Sequence, residues 1–163
     1  MKNKNVTFLT QAAMIAAIYV VLTYVFAPFS FGEVQIRISE ALTILPLFTP
    51  AAIPGLFVGC LVGNILGGAI LPDIIFGSIA TLIGAIGTYM LRQQRPAFGT
   101  LPPIIANIVI VPFVLRYGYG VALPIPFMML TVGIGEVASC LVLGLILYTA
   151  LSRYRNTLFH PAV

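Results

Sequence analysis

Six apolar stretches follow one another along the chain, at roughly 7–27, 38–49, 53–70, 74–91, 100–117 and 124–151. Short segments rich in proline, glycine or charged residues separate them. A helix needs about 20 mostly apolar residues to cross the hydrocarbon core of a bilayer. The pattern therefore predicts an all-α membrane protein, a bundle of six transmembrane helices forming a single integral membrane domain over residues 1–163.

The segment from 38 to 70 decides the number of spans, because three prolines interrupt it and it could form one helix or two. Cytoplasmic ends of membrane helices carry an excess of Lys and Arg. With two helices, six cations lie on the side of both termini and two on the other; with one helix, the split is three against five. We therefore predict six spans in a multi-pass protein of the cell membrane with both termini cytoplasmic, the second span being short.

Composition excludes most other classes of protein. Hydrophobic residues make up 60% of the 163 residues and charged residues only 7%, with a formal net charge of +4. A soluble domain has about 25% charged residues, so the chain has too few charges to cover a water-exposed surface. The same apolar composition argues against disorder. The eight Lys and Arg are scattered and form no basic stripe, so we predict no nucleic-acid partner and expect the lipid bilayer to surround the chain.

The chain carries no motif for catalysis or for a cofactor. It has no C-x-x-C, H-E-x-x-H, G-x-S-x-G or P-loop sequence, so we predict a protein that is not an enzyme, with no cofactor and no metal. Cys60 and Cys140 lie inside predicted spans, where we interpret them as small packing residues rather than as a disulfide.

Two ladders of small residues indicate close helix contacts. Gly55, Gly59, Gly63 and Gly67 recur every four residues in the third span, and we expect them to pack against another helix of the fold. The first span carries a second ladder, made of Ala12, Ala13, Ala16 and Ala17. Composition alone leaves two interpretations open for these alanines, packing within the fold or docking of another membrane protein.

Polar residues inside such an apolar chain are candidates for function, because ionisable groups in a span are costly and usually face a cavity or a partner. The candidates are Arg37, Glu40, Asn64, Asp73, Asn107 and Glu136. One interpretation is structural, with Arg37 pairing with Glu33 or Glu40. The other is a pocket, open on the outer side, for a ligand that is positively charged or rich in hydrogen-bond donors. Aromatic residues near the outer span ends fit a membrane-interface belt, and one or two of them could stack on a flat ligand.

Three segments carry a resemblance to a known family: QIRISEALTILP at 35–46, AIPGLFVGC at 52–60 and DIIFGSIATL at 73–82. The chain resembles the QueT family of predicted queuosine-precursor transporters, which are substrate-binding S components of energy-coupling factor (ECF) transporters. The resemblance implies the six-helix S-component fold and a pocket for a micronutrient in the outer half of the bundle. It also implies, as partners, a transmembrane coupling protein and two cytosolic ATPases, which would carry out all ATP hydrolysis.

Further implications concern particular residues. In the family, small residues of the first helix meet the coupling protein, which implies docking for Ala12, Ala13, Ala16 and Ala17. A queuosine precursor such as 7-aminomethyl-7-deazaguanine carries a cationic amine and a guanine edge with N–H donors. Carboxylates suit both groups, and an amide can donate to the O6 or N3 acceptors of the base, so Glu40, Glu136 and Asn64 are the leading candidates for substrate binding. Asp73 and Asn107 are the next candidates for substrate binding, with Arg37 as an orienting partner. Alternatives are an S component for another vitamin and a small secondary transporter that works without ATPases.

Overall fold

The computed structural model describes residues 2–30 and 36–155, and regular structure in these residues is helical throughout. Six apolar helices, numbered here helix 1 to helix 6, run in chain order as Lys2–Val25, Ile38–Leu47, Ala52–Leu66, Leu71–Met90, Pro96–Gly118 and Ile125–Ser152. Helices 1, 4, 5 and 6 are long and apolar enough to cross a membrane. The prediction of an all-α, multi-pass membrane protein is therefore confirmed.

Helices 2 and 3 are shorter, with 10 and 15 residues. The structure thus has two helices between 38 and 70, as the charge distribution indicated, and each is too short to count as a spanning helix by length alone. Six complete crossings and cytoplasmic termini stay predictions.

Helix 2 is a 3₁₀ helix that lies in the core of the bundle. Every side chain from Ser39 to Leu47 is buried. With three residues per turn and a rise of about 2.0 Å per residue, ten residues extend over roughly 20 Å, further than the same residues would in an α-helix. Three residues per turn also place the side chains in three rows, and these rows contact helices 1, 3, 4 and 6. The helix can therefore be apolar on all sides and still hold a few polar groups against its neighbours.

The glycine ladder of helix 3 packs on helix 1. A Cβ atom added at Gly55 would lie 2.7 Å from the Ala12 carbonyl oxygen, and one at Gly59 would lie 2.8 Å from the Tyr19 Cβ. At Gly63 the nearest atom, the Thr23 Cβ, would be 3.2 Å away. The predicted intramolecular role of the ladder is confirmed at these three positions, and it brings the two backbones close together.

Helix 6 changes its winding in the middle. Residues Ile125–Glu136 are α-helical, Val137–Leu143 form a π-helical segment, and Gly144–Ser152 return to the α-helix. Such wider turns are frequent at functional sites. Glu136 is the last residue before the change and Cys140 lies within it, so the segment sets the position of both side chains.

Candidate functional site

The six polar residues chosen from the sequence are all buried, with exposed fractions between 0 and 6%. They lie at the entry and start of helix 2, the end of helix 3, the start of helix 4, and within helices 5 and 6. Helices 2 and 4 begin where helices 1 and 3 end, so most of this group occupies the half of the bundle opposite the N-terminus. We call the set Arg37, Glu40, Asn64, Asp73, Asn107 and Glu136 the polar cluster.

Arg37 pairs with Asp73, which is 36 positions further along the chain. The Arg37 Nη2 and Asp73 Oδ2 atoms are 3.5 Å apart. The sequence suggested Glu33 or Glu40 as the partner of Arg37; Glu33 lies outside the described residues, and the ion pair found among the described ones is with Asp73. Bringing the start of helix 4 beside the start of helix 2 creates this contact, which sequence proximity does not reveal.

Tyr119, in the connection between helices 5 and 6, completes the surroundings of Asp73. Its hydroxyl donates a hydrogen bond to Asp73 Oδ2 over 3.0 Å and accepts one from the Ile70 backbone N–H over 3.5 Å. Burial, and then the negative charge of Asp73, raise the pKa of the Tyr119 phenol above its ordinary value. The phenol therefore stays protonated, as a donor to Asp73, at neutral pH.

Glu40 has one engaged and one free carboxylate oxygen. The Tyr19 hydroxyl of helix 1 donates a hydrogen bond to Glu40 Oε1. Glu40 Oε2 is fully buried and has no hydrogen-bond partner. A buried acceptor without a donor costs free energy, so this oxygen is suited to a donor supplied by a ligand.

Glu136 lies close to Glu40 across the bundle. Asn107 of helix 5 lies near the Glu136 carboxylate, and the Cys140 thiol donates a hydrogen bond to Glu136 Oε2 over 3.2 Å. Carboxylate oxygens of Glu40 and Glu136 and the Cys140 sulfur lie within 4.8 Å of one another. These three atoms are close enough to surround one small cation together.

Asn64 faces the Asp73 side of the polar cluster. Its Nδ2 donates to the Asp73 carbonyl oxygen over 3.4 Å, and its Oδ1 is buried without a hydrogen-bond partner. Gly77 lies one turn after Asp73 on helix 4, where an added Cβ would be 3.1 Å from Asp73 Oδ1 and 3.2 Å from Asn64 Nδ2. The missing Cβ allows these two polar side chains to pack closely against the backbone of helix 4.

The polar cluster is formally negative. Its three carboxylates, on Glu40, Asp73 and Glu136, stand against the single guanidinium of Arg37, a formal excess of two negative charges. Burying uncompensated charge away from water is strongly unfavourable. The arrangement therefore favours a bound cation or a ligand with several N–H donors.

The polar cluster is closed in this structure, whereas the sequence suggested a pocket open on the outer side. No member is more than 6% exposed. Two surface grooves lie between helices 4 and 5, one of about 480 Å³ beside Phe76 and Phe113 and one of about 470 Å³ beside Ile83 and Pro102, and neither includes a residue of the cluster. The ion pair and the hydrogen bonds draw the polar side chains onto one another, which closes the space between them.

Several residues of the site were not chosen from the sequence. Tyr19, Gly77, Thr81, Tyr119 and Cys140 contact or adjoin the polar cluster. Tyr119 was among the aromatic residues near the outer span ends, of which one or two could stack on a ligand. Tyr19 also had a usable signal. It follows Ala12 and Ala16 at helical spacing and therefore lies on the face of helix 1 that packs inward.

The predicted docking alanines lie on two faces of helix 1. Ala12 is buried, and the Ala16 backbone meets Gly59 of helix 3. Ala13 and Ala17 are exposed on the other side of the helix. Packing within the fold therefore accounts for the first pair, and only the second pair offers a free surface for a partner.

Among the aromatic residues near span ends, Tyr24, Tyr117 and Phe127 are exposed, in keeping with a membrane-interface belt. Phe31 lies outside the described residues. Both cysteines are free and buried, so the described residues contain no disulfide.

Comparison with known proteins gave two matches. The family model described as QueT transporter matches residues 9–153. The queuosine precursor transporter QueT of Lactococcus lactis subsp. cremoris (strain MG1363) is 32% identical over 85 residues, which are 51% of this chain and 50% of the relative. The alignment thus spans about half the length of this curated relative. No solved structure matches the chain.

Proposed function

The chain belongs to the QueT transporter family, and from this premise we propose that it is the substrate-binding S component of an ECF transporter for a queuosine precursor. It would capture a 7-deazaguanine, such as the aminomethyl base, from outside the cell. A transmembrane coupling protein and two cytosolic ATPases would drive uptake, so this chain itself would hydrolyse no ATP. The Lactococcus relative is a queuosine precursor transporter, which supports the substrate class.

The observation that carries the proposal is the buried, formally negative cluster with unpartnered acceptor oxygens. Glu40 Oε2 and Asn64 Oδ1 each lack a donor. A deazaguanine with a cationic aminomethyl group supplies ring and amine N–H donors together with a positive charge. It would therefore provide both the donors and the positive charge that the polar cluster lacks. Hydrogen bonds between charged groups are stronger than those between neutral groups.

A panel of ligands tests the substrate class. Purified full-length protein in detergent is expected to gain thermal stability with 7-aminomethyl-7-deazaguanine and to remain unchanged with thiamine, biotin or riboflavin. A ligand at 100 times its Kd stabilises the folded state by about 2.7 kcal/mol, which a melting curve resolves. Stabilisation by one of the vitamins instead would assign the chain to a different substrate within the same transporter class.

Co-purification tests the partners. Expressed with an ECF coupling protein and its two ATPases, the chain is expected to be recovered with all three. Replacing Ala17 on the exposed face of helix 1 by leucine is expected to reduce this recovery, because a bulky side chain would keep the partner's helix away. The matched control is Ala150→Leu, at an exposed alanine of helix 6, which should leave recovery unchanged.

Two results would contradict the partner proposal. One is uptake of the precursor by cells or vesicles that contain this chain and no ATPase, which would favour a secondary transporter. The other is equal recovery of partners with Ala17→Leu and with the wild type, which would place the docking surface elsewhere on the chain.

A further inference from the structure

The polar cluster divides into two groups of different charge. Glu40, Glu136 and Cys140 form the first, with one atom of each within 4.8 Å of the others. Arg37, Asp73, Asn64 and Gly77 form the second, where the ion pair cancels one positive against one negative charge. The formal excess of two negatives therefore lies entirely in the first group. The difference in net charge between the two groups has a large effect because both are buried, and charge interactions are much stronger away from water than in it.

Each group also offers one acceptor oxygen that has no partner. In the first group it is Glu40 Oε2, whose residue is fully buried. In the second it is the amide oxygen of Asn64, whose residue is equally buried and whose Nδ2 atom packs against Gly77 of helix 4. The first acceptor belongs to a carboxylate and suits a cation, whereas the second is neutral and suits an uncharged N–H donor.

The two groups adjoin each other through helices 3 and 4. The Thr81 hydroxyl donates to the Cys60 sulfur over 3.3 Å, and the Asn64 amide donates to the same sulfur over 3.6 Å. Thr81 also lies near the Glu40 carboxylate. A single flat ligand lying across this junction would reach both groups at once.

From this arrangement we infer that the site binds its ligand at two ends, with a different group of residues at each end. The carboxylates of Glu40 and Glu136, oriented by Cys140, bind the ammonium group, while Asn64 and Asp73 beside Gly77 receive the N–H edge of the base. In an aminomethyl deazaguanine the ammonium group and the N–H edge project from different sides of the ring system. Two separate groups of protein atoms can therefore bind them at the same time. The inference rests on the proposed function and adds to it which residues distinguish a cationic from a neutral precursor.

Binding of two ligands to two variants tests this division. The ligands are cationic 7-aminomethyl-7-deazaguanine and its neutral nitrile analogue, titrated calorimetrically into the purified protein. Glu136→Gln keeps the shape of the side chain and removes its charge, so affinity for the cationic ligand is expected to fall about tenfold or more while affinity for the nitrile changes little. Gly77→Ala adds a Cβ that presses on Asp73 and Asn64 in the second group, and it is expected to weaken the binding of both ligands by a similar factor.

Glu40→Gln tests the same subsite through its other carboxylate, should Glu136→Gln accumulate poorly. Thr88→Val is the matched control for loss of a buried polar group. Thr88 lies at the opposite end of helix 4, with its hydroxyl oxygen 2.9 Å from the Gly84 carbonyl oxygen and 2.7 Å from that of Gly99, so its replacement should leave the preference for the cation unchanged.

Different outcomes would contradict the division of the site and the proposed function. Equal weakening of both ligands by Glu136→Gln, or a loss confined to the cationic ligand in Gly77→Ala, would overturn the division into two ends while leaving the proposed function in place. Wild-type protein that binds neither deazaguanine would contradict the proposed function, and this inference with it.

Discussion

Replacing both Gly55 and Gly59 by alanine is expected to disrupt the contact between helix 1 and helix 3. Each added Cβ would lie less than 3.0 Å from an atom of helix 1, at 2.7 Å from the Ala12 carbonyl oxygen and at 2.8 Å from the Tyr19 Cβ. Overpacking a well-packed interior typically costs about 1–3 kcal/mol per site. Neither obstacle is the flexible end of a side chain, so the helices themselves must move apart.

The same change should also reach the polar cluster. Tyr19 donates to Glu40, so moving helix 1 away from helix 3 displaces the donor from the carboxylate. We therefore expect the free energy of unfolding to fall, which equilibrium unfolding in mixed micelles would measure. We also expect the protein that remains folded to bind the ligand more weakly.

Gly144→Ala provides the control for this prediction. There an added Cβ would lie 3.7 Å from the nearest atom, the Ala41 carbonyl oxygen, which is ordinary van der Waals contact. Removing glycine from the middle of a helix stabilises it by about 0.5–1 kcal/mol. Equal stability of the double variant and Gly144→Ala would show that the close approach of helices 1 and 3 contributes nothing.

Replacing Arg37 by methionine is expected to have the second large effect. It leaves the carboxylate of Asp73, which is 2% exposed, without its ion-pair partner. Removing one partner of a buried ion pair typically destabilises a protein by about 3–5 kcal/mol, because an uncompensated charge stays buried. Equilibrium unfolding of the purified protein in mixed micelles would measure the loss.

The double variant Arg37→Met with Asp73→Asn distinguishes charge from packing. An asparagine keeps an oxygen that can accept the hydrogen bond from Tyr119 but carries no charge. If the unpaired charge of Asp73 causes the loss of stability, the double variant should recover much of it. The coupling energy would then have the sign expected for interacting residues. Losses that simply add would mean that the guanidinium acts through packing alone.

Much of the fold follows from the sequence, because the bilayer imposes strong constraints on it. The apolar stretches predicted six helices, and the described residues contain helices close to the predicted limits. The ladder in 55–63 predicted a close helix contact, since a row of residues without side chains has few other uses in lipid. The winding of helix 2 was not predicted, because its apolar residues would be equally compatible with an α-helix.

The residues of the candidate site were identified largely because polar side chains are so rare in this chain. The sequence did not identify the partners of these residues. Asp73 as the partner of Arg37, Tyr19 as the donor to Glu40 and Cys140 as the donor to Glu136 all depend on how the helices are arranged. Helical spacing from Ala12 and Ala16 places Tyr19 on the inward face of helix 1, but no sequence position shows which carboxylate Tyr19 or Cys140 contacts.

The sequence by itself determined which side chains must be buried together. An apolar chain in lipid has few places for charge, so its few acids and its amides within spans are driven towards the interior of the bundle. Only the tertiary structure decided how they pair, because a buried ion pair or hydrogen bond forms between atoms a few ångströms apart whatever their separation along the chain. That arrangement places one cation beside Asp73 and leaves Glu40 and Glu136 facing each other without one.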